Sequence, residues 1–169
     1  MAFDTEILRA FAEYPDRVLK LLNSSIIDKA AGNFVTAIYA YFDLNSQILN
    51  VSCAGHNPLY LIRQNTITEI HPKGRILGLM ENIEPEVFEI KLLAQDRLFF
   101  YTDGLTEAKN RNDIEFENTL KVLLLNNVKK DPEELNNIII SELSAFTGIT
   151  IGHYEDDVAL ITVDYLDKV

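Results

Sequence analysis

The sequence predicts an α+β fold in which mostly antiparallel sheets are flanked by helices. Three observations support this class. Helical spacing of apolar residues dominates the first 32 positions, and short strand-like segments separated by turn residues follow from position 34 to position 102. Helical patterns then return and precede one last apolar strand near the C-terminus.

A helix is predicted on each side of Pro15. Asp4 or Thr5 caps a first short helix. A second helix begins at Pro15 or Asp16 and ends near Gly32, because glycine is common where helices stop. The face that this second helix buries against a sheet is predicted to carry Val18, Leu21, Leu22, Ser25 and Ile26.

Between positions 34 and 102 the pattern is that of strands. The segment 34–42 is apolar on both alternating faces, which is typical of a strand covered on both sides. A turn and a returning strand over 48–54 complete a predicted hairpin. The remaining predicted strands are 59–63, 67–70, 87–92 and 97–102, with a loop over 71–86 that is rich in proline and glycine.

Helical signals return after Gly104. The segment 117–126 has leucines at helical spacing, and Asp131-Pro132-Glu133-Glu134 combines an N-cap, a proline at the first position and a capping-box glutamate. We expect the helix that starts there to end at Gly148. A last strand over 158–163 completes a pattern of helices flanking a two-sheet sandwich.

Composition and charge narrow the functional classes. The chain has 169 residues and a formal net charge of −11, which argues against binding to a nucleic-acid backbone. Lys73 and Arg75 form a small candidate basic patch. A lone cysteine, Cys53, makes no internal disulfide, and no segment has the length and apolarity of a membrane span or the pattern of a signal peptide. We therefore expect a cytoplasmic domain.

Two acidic segments stand at the ends of predicted buried strands. Asp103-Gly104 follows the strand 97–102, and Asp156-Asp157 precedes the strand 158–163. Each has an ordinary interpretation, Asp103 as a turn residue before a glycine with positive φ and the acidic pair as a solvated strand entrance. The alternative is a site for a hard cation, because ionised carboxylate oxygens are the ligands that Mg²⁺ and Mn²⁺ prefer.

Four segments of the chain, in this order, resemble the metal-dependent protein phosphatases of the PPM (2C-type) superfamily. The similarity is greatest to the bacterial branch of the sporulation stage II E and sigma-factor-regulating phosphatases, and it covers approximately positions 33–166. The segments are Ala54-Gly55-His56-Asn57-Pro58, Ile76-Leu77-Gly78-Leu79, Tyr101-Thr102-Asp103-Gly104-Leu105-Thr106-Glu107-Ala108 and Asp156-Asp157-Val158-Ala159. In the last segment, Ala159 stands where the family usually has threonine.

This resemblance implies part of an α-β-β-α sandwich and a binuclear centre of Mn²⁺ or Mg²⁺. Asp103 and Asp156 would be direct metal ligands, with Asp157 as the nearby second acid of the metal site. Gly104 would support the loop by letting the backbone turn tightly beside the ion. The resemblance assigns no catalytic residue beyond the metal ligands, and the substrate-binding residues stay unknown. We interpret His56 as structural, with a general acid as the alternative.

The N-terminal elements of the family have no counterpart in this sequence. In the family, the remaining metal ligands come from a Gly-Asp-x-Tyr-Asp-like strand and an Asp-x-x-Gly-His-Gly-like element. This sequence contains no Gly-Asp dipeptide, and neither of its Gly-His pairs is followed by glycine. We therefore expect residues 1–169 to be a single phosphatase domain without the family's first strands, with half of the metal ligands, an exposed sheet edge and weak or no activity as an isolated chain.

The resemblance also implies a substrate and partners. The substrate would be a phosphorylated regulatory protein, such as an anti-sigma-factor antagonist, and a sensor or receiver module would precede the domain in a longer protein. A second hypothesis belongs to another functional class, a degenerate phosphatase that binds a regulatory partner without hydrolysing it. The missing ligands and Ala159 favour this second hypothesis.

Overall fold

The computed structural model describes residues 10–29 and 32–166. Its elements in chain order are α1 (Pro15–Ile26), β1 (Ala37–Asp43), β2 (Ile48–Ala54), β3 (Leu59–Arg63), β4 (Thr66–Ile70), β5 (Val87–Lys91), β6 (Asp96–Tyr101), α2 (Asp103–Thr106), α3 (Glu117–Asn126), α4 (Pro132–Thr147) and β7 (Leu160–Tyr165). The predicted first short helix, with its cap at Asp4 or Thr5, falls largely outside the described residues. Among the described residues, no helix has the length and apolarity needed to cross a membrane.

The chain divides into two compact units, each with its own sheet. The first unit contains the residues up to 58 together with 70–93, and the second contains 59–69 and the residues from 94 onward. The sheets have strand orders β1-β2-β5 and β4-β3-β6-β7, and the pairings of β1, β2, β5, β6 and β7 with their neighbours are antiparallel. The predicted α+β class with antiparallel sheets and helices is confirmed, while the prediction of a single domain over 1–169 stays a prediction.

In the first unit, α1 packs beside the three-stranded sheet. Its buried residues are Pro15, Val18, Leu19 and Asn23, and Leu19 joins a small core with Ala54, Leu77 and Ile83. The prediction that the helix continues to near Gly32 was wrong, because α1 ends at Ile26 and turns follow. The predicted strand 34–42 also begins later, at Ala37.

Asn23 is the main polar anchor of α1. Its side chain is fully buried, and its amide nitrogen donates to the carbonyl oxygens of Met80 at 2.7 Å and Glu81 at 3.1 Å. Its amide oxygen accepts the backbone N–H of Gly78 at 2.9 Å. These bonds satisfy three backbone groups of the 78–81 loop, and buried polar groups need such partners.

The second unit contains the larger core. In the antiparallel ladder between β6 and β7, Arg97 lies opposite Asp164 and Tyr101 lies opposite Leu160. The Arg97 guanidinium donates to Asp164 Oδ2 at 2.7 Å, and Arg63 donates to the buried Asp96 at 2.8 Å. The fully buried core residues are Tyr60, Phe99, Leu105, Phe116, Leu120, Leu124, Leu135, Ile139 and Leu143.

Local capping signals place α4 where the sequence predicts it. The Asp131 carboxylate accepts the backbone N–H of Glu134 at 2.8 Å, Pro132 is the first helical residue, and Gly148 ends the helix with φ of 73°. The last strand, by contrast, starts at Leu160 and not at position 158. The last residue pair of the β6–β7 ladder is Tyr101 with Leu160, and Val158 and Ala159 therefore precede strand β7.

Candidate active site

The first acidic segment follows directly from the buried strand β6. Thr102 is extended, with φ of −94° and ψ of 158°, and Asp103 is the first residue of the short helix α2. Asp103 is exposed, whereas Gly104, Leu105 and Thr106 are buried. The Asp103 carboxylate accepts the backbone N–H of Gly104 at 3.1 Å. The core therefore holds the loop through Leu105 while the carboxylate stays at the surface.

The second acidic segment lies just before β7. Asp156 and Asp157 are both exposed, and the Asp156 carboxylate accepts the backbone N–H of Asp157 at 2.8 Å. This bond turns the chain ahead of the strand. The segment therefore presents two carboxylates to solvent, as the sequence predicts for either a strand entrance or a cation site.

Thr102 joins the two acidic segments. Its backbone N–H donates to the carbonyl oxygen of Ala159 at 3.0 Å, and its hydroxyl accepts the N–H of Ala159 at 2.9 Å. The same hydroxyl donates to the carbonyl oxygen of Asp157 at 2.7 Å. Thr102 is thus the residue that holds the strand end and the acidic segment together, a role that the sequence does not reveal.

Gly104 is the point of closest approach between the segments. A β-carbon at position 104 would stand 2.7 Å from the Asp157 carbonyl oxygen and 3.3 Å from the Asp156 carbonyl carbon. Gly104 is not among the glycines with positive φ. Glycine is therefore needed here because another backbone passes beside it, and not because the turn requires a left-handed conformation.

The described residues do not form a complete metal site. The donor type fits Mn²⁺ or Mg²⁺, because Asp103, Asp156 and Asp157 offer hard carboxylate oxygens on adjoining segments. The number of donors falls short: among residues 10–29 and 32–166, no group of three or more histidine, cysteine, aspartate or glutamate side chains is placed to hold a metal ion. By themselves the described residues therefore supply only part of the donor set that the family's metal centre would need.

A cavity of about 430 Å³ adjoins the acidic segments in the second unit. Its lining residues include Gly104, Lys109, Asn110, Tyr154 and Asp156. The Tyr154 hydroxyl is a buried polar atom without a hydrogen-bond partner in the part of the chain that the structure describes. A buried hydroxyl of this kind is satisfied when a water molecule or a ligand group occupies the neighbouring space.

Two tyrosines pack behind the Thr102 loop. The rings of Tyr60 and Tyr101 are 4.9 Å apart. Burial raises the pKa of Tyr60 to about 12, and it raises the pKa of Tyr101 as well. Both phenols therefore stay protonated at neutral pH, and neither provides a general base.

The His56 turn is held by hydrogen bonds within the first unit. His56 Nδ1 lies 3.2 Å from the Thr36 hydroxyl, and the His56 carbonyl oxygen accepts from the Cys53 thiol at 3.1 Å. Burial raises the pKa of the Cys53 thiol, so the thiol is protonated and able to donate. His71 Nε2 donates to the same carbonyl oxygen at 3.2 Å. These contacts give the turn a structural role.

The fold as described is that of PP2C-type phosphatase domains. The PP2C phosphatase domain of SpoIIE from Bacillus subtilis, solved with a fragment of its regulatory domain, superposes with a TM-score of 0.76 at 19% identity, over 98% of this chain and 49% of that one. The SpoIIE phosphatase domain from Mn-presoaked crystals superposes with a TM-score of 0.68 at 18% identity, over 100% of this chain and 76% of that one. At these identities the similarity establishes the fold alone.

The chain belongs to the SpoIIE family, because the family model described as Stage II sporulation protein E (SpoIIE) matches residues 2–166. This confirms the resemblance that the four sequence segments predict. A characterised relative, phosphoserine phosphatase RsbU of Bacillus subtilis strain 168, is 26% identical over 153 residues. That alignment covers 89% of this chain and 45% of RsbU, so the chain spans about half the length of this relative.

Proposed function

We propose that this chain carries a protein serine/threonine phosphatase domain that removes phosphate from a phosphorylated regulatory protein. The observation that carries the proposal is the convergence of the two acidic segments, fixed by the Thr102 hydrogen bonds and by the close approach at Gly104. Membership in a family that includes a phosphoserine phosphatase supports the same activity.

The charge of the site supports dependence on Mn²⁺ or Mg²⁺. Hydrolysis adds water to a phosphate monoester and releases an alcohol and inorganic phosphate, so a dianionic group must approach the reacting centre. Exposed carboxylates such as Asp103 and Asp156 repel that group unless a cation lies between them. A metal ion held by Asp103, Asp156 and further ligands would neutralise phosphate charge and would acidify a water molecule.

The ligands that the described residues lack would have to come from elsewhere. We propose Asp103 and Asp156 as direct ligands, Asp157 as the adjoining acid and Gly104 as the residue that lets the segments meet. The Mn-presoaked SpoIIE phosphatase domain shares the fold and supports manganese as the first ion to test.

The substrate class follows from the relatives and stays part of the proposal. RsbU is a phosphoserine phosphatase, which favours phosphoserine over a small metabolite. We propose a phosphorylated regulator of the anti-sigma-factor antagonist type as the substrate, with a sensor or receiver module in the same longer protein.

A non-catalytic module that binds a regulatory partner is the second candidate. The specific observation in its favour is that residues 10–29 and 32–166 contain no group of three candidate ligands. Such a domain would retain the fold and bind the partner without releasing phosphate.

Calorimetric titration with Mn²⁺, combined with release of phosphate from a phosphoserine peptide in the same samples, separates the two candidates. Saturable Mn²⁺ binding with turnover supports the phosphatase and shows that the centre is completed in solution. Binding of an unphosphorylated or phosphorylated partner with no turnover at saturating Mn²⁺ supports the binding module and contradicts the catalytic proposal for this chain.

A further inference from the structure

A second cavity, of about 430 Å³, lies in the first unit. Its walls are the turn that contains His56 and Asn57 and the segment that contains His71, Lys73 and Gly74. This volume falls in the range of about 300–1,000 Å³ that is usual for small-ligand sites. From the sequence, Lys73 is predicted only to form a small basic patch with Arg75.

Close backbone contacts make this cavity a rigid feature. The Gly55 N–H donates to the Gly74 carbonyl oxygen at 3.0 Å. A β-carbon at Gly74 would collide with the carbonyl oxygen of Cys53, which is a main-chain atom and cannot swing away. The two walls are therefore held at backbone contact distance, and larger residues at position 74 would force them apart.

The two histidines are tied to the same turn. His71 Nε2 donates to the His56 carbonyl oxygen at 3.2 Å, and the Cys53 thiol donates to that oxygen at 3.1 Å. Because a carbonyl oxygen only accepts, Nε2 of His71 carries the hydrogen that makes this bond. The His56 ring is oriented by the contact of its Nδ1 with the Thr36 hydroxyl at 3.2 Å.

The charge of the lining is unusual for this chain. Two imidazoles, one ammonium and the Asn57 amide line the cavity, and no acidic residue is among the lining residues, although the chain carries a net charge of −11. The carboxylate of Glu86 accepts the backbone N–H of Lys73, a wall residue, at 2.9 Å. The cavity beside Asp156 differs, because Glu107, Asp113 and Glu155 also line it.

We propose that the cavity bounded by His56, His71 and Lys73 is an anion-binding site that takes a phosphate group. The ammonium of Lys73 and the side-chain amide of Asn57, two of the lining residues, can donate to the acceptor oxygens of a phosphate, and charge-assisted hydrogen bonds are the stronger ones. The choice of phosphate among anions rests on the proposed phosphatase function. The phosphate belongs either to the protein substrate, at a phosphorylated residue other than the one at the reacting centre, or to the released inorganic product.

Phosphate binding without divalent metal tests this site. The imidazole signals of His56 and His71 are followed by NMR during titration with inorganic phosphate in the presence of EDTA, at constant ionic strength set with chloride. The variants are His71→Gln and Lys73→Gln, with Lys29→Gln as the control, because Lys29 is an exposed lysine of the same unit outside the cavity. Asp103→Asn is included to separate this site from the acidic segments.

We expect saturable shifts of both histidines in the wild-type chain and in the Lys29→Gln and Asp103→Asn variants. Lys73→Gln should bind phosphate about tenfold more weakly, since one charge-assisted bond is lost. His71→Gln should also weaken binding, since the contact between His71 Nε2 and the His56 carbonyl oxygen that fixes the wall is lost. Tighter binding of a phosphoserine peptide than of inorganic phosphate assigns the site to the substrate, and the reverse order assigns it to the product. Absence of saturable shifts, or equal weakening by Lys29→Gln, overturns the proposal.

The result is independent of turnover. If the chain binds phosphate in this cavity and hydrolyses nothing, the anion-site proposal is supported and the phosphatase proposal is contradicted. If the wild type and the His71→Gln and Lys73→Gln variants hydrolyse a phosphoserine peptide at the same rate, and phosphate shifts no histidine signal, the phosphatase proposal is supported. The anion-site proposal is then contradicted.

Discussion

Gly104 lies against the backbone of Asp157, so that a β-carbon on residue 104 would stand 2.7 Å from the Asp157 carbonyl oxygen. This contact brings the Asp103 loop and the Asp156-Asp157 segment together although more than 50 residues separate them in the chain. The neighbouring atom belongs to the main chain, and relief would require one of the two segments to move. The geometry of the candidate site therefore depends on the absence of a side chain at position 104.

Replacing Gly104 with alanine should lower the free energy of unfolding by about 1–3 kcal/mol, the usual cost of overpacking. In an uncrowded helix the same substitution would stabilise the protein by about 0.5–1 kcal/mol. The sign of the change is thus the informative result, and urea unfolding followed by circular dichroism measures it. A Gly104→Ala chain as stable as wild type would mean that the segments are not rigidly apposed.

The Thr102 hydroxyl should matter more than its methyl group. Thr102→Val keeps the shape but removes the side-chain partner of the Asp157 carbonyl and of the Ala159 N–H. Since both bonds are exposed and water can replace them, the expected cost is about 0.5–1.5 kcal/mol. Thr102→Ser keeps the hydroxyl and serves as the matched control. The urea unfolding midpoints of both variants are compared with that of the wild type. Equal midpoints for the two variants would show that the hydroxyl bridge contributes nothing to stability.

Asn23→Ala should be among the more destabilising substitutions in the first unit. It removes the partners of two carbonyl oxygens and one N–H in the 78–81 loop, at an expected cost of about 2–4 kcal/mol in the free energy of unfolding. Ser24→Ala on the same helix is the control, because its hydroxyl bonds only within the helix and is exposed. Similar unfolding midpoints for the two variants would contradict the anchoring role of Asn23.

Stability should fall at alkaline pH because of Tyr60. Burial raises its pKa to about 12 in the folded chain, above the value of 10.0 for an unperturbed tyrosine. A folded-state pKa that is raised gives stability that is fully present below pH 10 and is lost as the pH rises towards 12.

Tyr60→Phe removes the ionising group and should therefore lose less stability than wild type between pH 9 and pH 11.5. Tyr14→Phe, at an exposed tyrosine, controls for the general effect of alkali. Urea midpoints at the two pH values provide the comparison. If the midpoint of Tyr60→Phe falls between pH 9 and pH 11.5 by as much as that of the wild type, another group controls alkaline unfolding.

Local signals account for what the sequence predicts well. The bounds of α4 follow from Asp131, Pro132 and Gly148, whose effects act within one turn of the helix. The identity of the family follows from short segments whose order is preserved, and the family match over residues 2–166 confirms it.

Long-range contacts account for what the sequence does not predict. Asn23 finds its partners 55 to 58 residues away, and Thr102 finds its partner 55 residues away, so neither role leaves a local pattern. The apolar segment 34–42 predicts a covered strand, but Phe34 and Val35 are exposed and pairing with β2 begins only at Ala37. The start of β7 is likewise set by its register with β6 and not by its own apolar residues.

The most direct test of the account is Mn²⁺ binding by the wild-type chain and by Asp103→Asn and Asp156→Asn, followed by electron paramagnetic resonance of free Mn²⁺. Asp28→Asn is the control, because Asp28 is an exposed aspartate of the first unit, far along the chain from both acidic segments. Because the described residues supply only part of the ligand set, we expect weak but saturable binding by wild type and Asp28→Asn. Each acidic-segment variant should lose at least about tenfold in affinity, with circular dichroism unchanged. Mn²⁺ binding that is equal in all four chains, or absent from the wild type, would contradict the claim that Asp103 and Asp156 serve one cation site.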